Sequence, residues 1–251
     1  MKRLLVLLTV LILLSGCVKE EKNMAVEFDA TVLQGVTWAT GLTGSPALAG
    51  ITLDEFSIVA IARLDAFPQT LTYVGGIYST VSGDEGAAIL VKNDGRLYFA
   101  KSPVGGLRDW QSDAADLVAG NTYTLGASLD GSDIANRPLL YIDGALVTTN
   151  VVTETGTQPT EHDDTMPFLG APDQDARHAI DGVAYLLAFF DRILIAEEHM
   201  SIHETRSVDG MGAIWVVGVS EGGGVVDILG GEIGTINAGA VVIPDDYLHV
   251  R

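Results

Sequence analysis

AAILVKNDGRLYFA, residues 87–100, decides the fold. Two short apolar runs, 87–92 and 96–100, flank Asn93-Asp94-Gly95. Asp-Gly supplies the positive φ that a tight turn needs, so the stretch predicts an antiparallel hairpin. LLYI at 139–142, Asp143-Gly144 and 145–148 repeat the pattern as a second hairpin. Outward from these lie FSIVAIARL at 56–64, TLTYVGGIY at 70–78 and NTYTLGASL at 121–129, then DGVAYLLAFFD at 181–191. Each is apolar or alternating and bounded by turn residues. Gly75-Gly76 marks a bulge within the second of them. Residues 26–28 open a strand and 168–170 form a short one. With 29 glycines in 251 residues, above the usual ~7%, turns are frequent. Strand follows strand with no βαβ alternation, which predicts an all-β antiparallel sandwich or barrel. IAEEHMSIHET at 195–205 is the one helix-like stretch, read as a short surface helix. Glycines punctuate the last forty residues, with short strands at 213–219, 225–229 and 240–243. They form a small β-rich C-terminal extension, either separate or part of the same sandwich.

The N-terminus reads as an export signal. Lys2 and Arg3 precede an apolar run, 4–14, broken only by Thr9. A spanning helix needs about 20 residues, so this run suits a signal peptide. It ends Leu14-Ser15-Gly16-Cys17, which resembles the bacterial lipoprotein box. Cys17 is the single Cys of the chain and is the expected lipidation site. The resemblance implies a signal peptide at 1–16 and a polar tether at 17–25. An ordinary signal peptide is the plainer alternative, and a start at Met24 would give a cytoplasmic or virion protein. Lipid chains at ~0.8 kcal/mol per buried CH₂ would anchor the chain through its N-terminus only. Val18, in place of an Asp after the Cys, favours the outer membrane in a cell that has one.

The order of the strand segments resembles the concanavalin A-like, laminin-G-like jelly roll in its bacterial or phage form. The likeness rests on VEFDA at 26–30, FSIVAIARL at 56–64, NDGRLYF at 93–99 and YTLGASLDGS at 123–132. It continues through LLYIDGALV at 139–147, FLGA at 168–171 and DGVAYLLAFFDRILIAEEH at 181–199. It implies a jelly-roll domain over 26–207, with 208–251 as the extension. The tail, with Trp215, Val226-Asp227-Ile228, Gly234-Thr235 and Pro244-Asp245-Asp246, resembles a segment that follows such domains in some phage and environmental bacterial proteins.

Composition and motifs narrow the chemistry. A net charge of −19 argues against a nucleic-acid partner, because phosphate contacts need a basic face. One Cys excludes an intramolecular disulfide. Glucanases of the resembled fold carry E-x-D-x-x-E on one strand face, and no such string occurs here. The five His show no nucleophile partner by spacing, and there is no Walker loop. His199 and His203 stand at i, i+4 without H-E-x-x-H and are expected to be surface residues rather than zinc ligands. Calcium is the one cofactor the resemblance suggests, since laminin-G-like folds hold it with loop oxygens, against the alternative that the acidic loops are simply solvated charge. Asp163 and Asp164 in one acidic loop, with Asp173 and Asp175 in another, are its candidate ligands. Arg108, Asp109 and Trp110 are read as a polar loop whose indole stacks on a sugar, against the alternative that Trp110 is buried.

The expectation is a non-catalytic, extracytoplasmic, lipid-anchored module that binds a glycan or a surface protein in adhesion or recognition. A phage virion structural or receptor-binding protein is the alternative. A polysaccharide-active glycoside hydrolase or lyase stands third.

Overall fold

The longest strands meet side by side at the centre of one sheet. In a computed structural model of the chain, β3 (Glu55–Ala66) pairs antiparallel with β8 (Asn121–Asp130) on one side and β14 (Asp181–Phe190) on the other. The structure describes residues 24–28, 35–37, 55–67, 70–79, 86–102, 107–133, 135–155, 165–170, 178–179, 181–219, 225–227, 235–237 and 241–244. Sheet A continues outward from β8 through β9 (Leu139–Ile142) to β10 (Ala145–Val147). Beyond β14 it continues through β1 (Met24–Phe28) to β18 (Val241–Pro244). The far half of β14 also pairs with β15 (Trp215–Val219), which carries β16 (Val225–Asp227).

Sheet B begins with β11 (Thr149–Glu154), β7 (Arg108–Ser112), β6 (Leu97–Ser102) and β5 (Gly86–Lys92). It runs on through β4 (Leu71–Ser79), β12 (Thr165–Gly170), β2 (Gly35–Thr37) and β17 (Thr235–Asn237). The short β13 (His178–Ala179) pairs parallel with β4. Strands from beyond residue 207 therefore lie in both sheets, β18 against β1 and β17 against β2. At the opposite margin β10 and β11 are joined by Thr148 alone, so the chain steps there from one sheet to the other.

Alternation explains the layers. Along β3, Phe56, Ile58, Ala60, Ala62 and Leu64 point between the sheets. There they meet Val74, Ile89, Phe99 and Trp110 of sheet B. Phe56 and Trp110 flank Phe99, with ring centroids 6.1 and 6.0 Å away. Val59 and Ile61 point the other way and are also buried. That second burial is why residues 58–62 read as a continuous apolar run: both faces of β3 are covered. The cover is α1 (Ala196–Thr205), with Leu194, Ile202 and Val208 against Val59, Ile61, Leu186 and Phe190.

α1 starts on Ile195, which carries no acceptor, so only one arm of a capping box forms. Glu198 Oε2 accepts the Ile195 N–H at 3.0 Å. The same carboxylate takes two bonds from Arg192 at 2.8 and 2.7 Å, and Arg192 also donates to the Met211 carbonyl at 2.8 Å. Arg206 ends the helix with φ 56°. The helix lies at the surface, as its irregular sequence pattern suggested, with only His199 and Ile202 turned inward and buried.

Candidate functional site

α1 closes much of the outer face of sheet A. The outer face of sheet B carries a different set of side chains. Register places Tyr73, Leu90, Tyr98, Gln111 and Asn150 in one row across β4, β5, β6, β7 and β11. Tyr73, Leu90 and Tyr98 are buried together with Phe168, whose ring meets Tyr73 edge-on at 5.4 Å. The neighbouring row is small: Gly76, Ala88, Ala100, then Asp109. Gly76 is required there, because a Cβ would fall 2.3 Å from the Ala87 carbonyl oxygen.

Towards the 93–96 turn this face becomes polar and accessible. Lys92 Nζ donates to Gln111 Oε1 at 3.1 Å and stands 3.9 Å from Asp94 Oδ2. The Arg96 guanidinium pairs with Asp94, and its Nε donates to the Asp113 carbonyl at 3.2 Å. Asn150 Nδ2 donates to Asp113 Oδ1. The side chains of Lys92, Asp94 and Arg96 are 29%, 36% and 31% exposed, so the groups are ordered by one another yet remain open to water. Two cations, two carboxylates and two amides form a neutral array in a chain of net charge −19. Such an array offers donors and acceptors side by side, as a polyhydroxylated ligand requires.

The structure corrects the placement of Arg108, Asp109 and Trp110. They lie on β7, not in a loop, and all three are buried. Period-two alternation sends Arg108 and Trp110 inward and leaves only Asp109 on the outer face. Trp110 is fully buried in the inter-sheet core, so it has no ring face to give a sugar. Its Nε1–H donates to Glu154 Oε1 at 3.2 Å, and the Arg108 guanidinium stacks over it at 5.4 Å. Arg137 Nε also reaches Glu154 Oε1, at 3.4 Å. These groups cap the end of the core opposite the 93–96 turn.

His199, expected at the surface, is also corrected: it is 1% exposed on the inner side of α1. His203, also expected at the surface, keeps 27% of its side chain exposed and contacts Asp143 Oδ1 at 3.4 Å. Cys17 and the calcium candidates Asp163, Asp164, Asp173 and Asp175 lie outside the described residues. Among the described residues no group of three or more His, Cys, Asp or Glu is placed to hold a metal ion. The array itself was missed in the sequence. In the sequence Asp94 reads as turn chemistry alone, and Gln111 and Asn150 meet only through the β7–β11 register.

No family model and no curated protein matches the chain. Solved structures do match in fold. The heptameric SAP-like pentraxin from Limulus polyphemus superposes with a TM-score of 0.63 at 12% identity, covering 91% of this chain and 98% of that one. A protein from Bacteroides ovatus, provisionally described as carbohydrate-binding, gives 0.63 at 12% identity over 92% of this chain; the chain spans 62% of its length. The CBM40 module of the Ruminococcus gnavus IT-sialidase, bound to α2,3-sialyllactose, gives 0.52 at 13% identity over 71% of this chain and 96% of that one. At these identities the likeness is one of fold, and the fold is the concanavalin A-like jelly roll.

Proposed function

We propose that the chain is a carbohydrate-binding module that recognises a glycan without cleaving it. The observation that carries this reading is the accessible array of Lys92, Asp94, Arg96, Gln111, Asp113 and Asn150 on the outer face of sheet B, beside the buried Tyr98. The fold likeness to the Bacteroides ovatus protein and to the CBM40 module supports it. A non-catalytic role is supported by the way the carboxylates are engaged: Asp94 is held by Arg96 and Asp113 by Asn150. The wider proposal is an extracytoplasmic protein held at a membrane through lipid on Cys17. Calcium at Asp163, Asp164, Asp173 and Asp175 is part of the same proposal, since carboxylate oxygens suit a hard cation.

The test is a glycan-array screen of the purified protein, with calcium and with chelator. Selective binding is expected, and Gln111→Ala with Asn150→Ala should lower it by about tenfold or more, the scale of 1.4 kcal/mol, at an unchanged melting temperature. A blank array in both conditions would remove the glycan reading. Loss of signal on chelation alone would locate the dependence in the calcium proposal.

A further inference from the structure

Between α1 and sheet A lies a buried network with no part in the array. His199 Nε2 is 2.9 Å from Ser128 Oγ, which is 2.8 Å from Ser57 Oγ. Ser57 Oγ donates to the Arg192 carbonyl at 2.9 Å and accepts the Leu194 N–H at 2.9 Å. With His199 Nε2–H donating to Ser128 the chain is satisfied: the Ser128 hydroxyl donates to Ser57 or to the Leu194 carbonyl at 3.2 Å, and Ser57 donates to Arg192. It leaves His199 Nδ1 as a bare acceptor, and Nδ1 has no hydrogen-bond partner. The ring is stacked on Tyr141 with centroids 3.8 Å apart. Its Nδ1 edge rests on Gly126, where a Cβ would come within 2.5 Å. A proton added at Nδ1 would place a charged N–H against a backbone that offers it no acceptor. Burial accordingly holds the His199 pKa down to about 4, with the Glu198 charge opposing the shift.

We infer that His199 is an acid-released latch: protonating it frees α1 from sheet A while the core between the sheets stays folded. Of its own side chains only His199 and Ile202 are buried, and its other ties are partly exposed polar pairs such as Glu198–Arg192 and His203–Asp143. The inter-sheet core contains no α1 side chain. The charged and titratable groups around the latch come from every element packed there. On α1 these are Glu197, Glu198 and His203, with Arg206 at its end. Glu198 is bound by Arg192, and His203 contacts Asp143 of the β9–β10 turn. Arg206 donates to Thr124 of β8 at 2.5 Å, and Tyr141 of β9 feels Glu197. The carboxylates among them favour an imidazolium, but none hydrogen-bonds Nδ1. Freeing α1 would uncover Val59, Ile61, Leu186 and Phe190, an apolar strip that is closed at neutral pH.

The test is hydrogen exchange of the full chain by mass spectrometry from pH 7 to pH ~3.5, expressed as protection factors so that intrinsic pH effects cancel. Residues 192–206 should lose about tenfold or more of their protection between pH ~5.5 and ~4, while 55–66 and 121–130 keep theirs. His199→Gln, a neutral side chain whose amide can still donate to Ser128, should abolish that step. Glu198→Gln should retain it. Simultaneous loss of protection in helix and core, or an unchanged step in His199→Gln, would overturn the latch. Should His199→Gln already be open at pH 7, the His199 imidazole is titrated by NMR in the unaltered chain. Titration above pH ~6, the range of an unburied imidazole, would equally overturn the latch; titration near pH ~4 supports it.

Discussion

Gly126 shows how much one absent methyl group can decide. Its hydrogen lets the His199 ring settle on β8, and a Cβ would meet Nδ1 at 2.5 Å and Cε1 at 2.6 Å. The ring cannot give way, since Tyr141 lies stacked against it. Gly126→Ala is expected to cost about 1–3 kcal/mol, the range for overpacking, and to lower the melting temperature by about 3–9 °C. Circular dichroism melts measure this directly, and an unchanged melt would mean that α1 is not seated as described. Trp110 makes the complementary case. Trp110→Ala should cost about 3–5 kcal/mol in a urea titration, as expected for emptying a core aromatic site. Trp110→Phe should leave glycan binding unchanged, because the indole faces Phe99 and not solvent. The sequence around Trp110 misled for a definite reason. RDWQS at 108–112 alternates as a strand should, but its inward residues are Arg, Trp and Ser in place of the usual Val or Ile. The Asp-Gly turns were legible because their chemistry is local: Gly95, Asp143 and Gly144 have φ of 82°, 51° and 77°.

At the scale of elements, what could be read depended on whether both faces of a strand are apolar. β3 and β14 stood out because sheet, core and helix cover them on both sides. β11 did not, being an alternating edge strand that follows β10 after one residue. Its register shifts between Val151 and Thr153, a bulge that interrupts the exposed edge and discourages pairing with another chain. α1 depends on its first turn. The Glu198 carboxyl is held below its ordinary value of 4.5, chiefly by the hydrogen bonds from Arg192. A depressed carboxylate contributes stability above the unfolded pKa and loses it as pH falls through the lower, folded one. Glu198→Gln should therefore weaken the helix at pH 7 and flatten the acid limb of the stability curve below pH ~4.5. Both groups are partly exposed, so the cost at pH 7 is that of a cap, about 1 kcal/mol. Urea midpoints measured at intervals across that range provide the check.

The whole molecule carries a net charge of −19, and its own repulsion opposes the compact state. Raising salt from ~0.02 to ~0.3 M shortens the screening length to well under 10 Å, so the melting temperature should rise. A fall in calorimetry would mean that attractive pairs such as Arg192–Glu198 outweigh the repulsion. The segment after residue 207 matters at this scale too. It supplies β15 to β14, β18 to β1 and β17 to β2. Truncation after Ser207 should expose strand edges in both sheets, with loss of near-ultraviolet circular dichroism and aggregation as the readouts. The sequence showed that strands were there but not which partners they take, because pairing across two hundred residues leaves no local mark.

Those outer pairings also give the molecule a direction. Met24 lies beside Pro244, and β1 runs from there towards Phe28, which pairs with Gly182 near the 93–96 turn. The Met24 end of β1 and the Pro244 end of β18 thus lie at one pole of the sandwich, and the array of Lys92, Arg96 and Gln111 crowns the other. A partner bound at the Met24–Pro244 pole would leave that crown outermost, facing whatever approaches from solution.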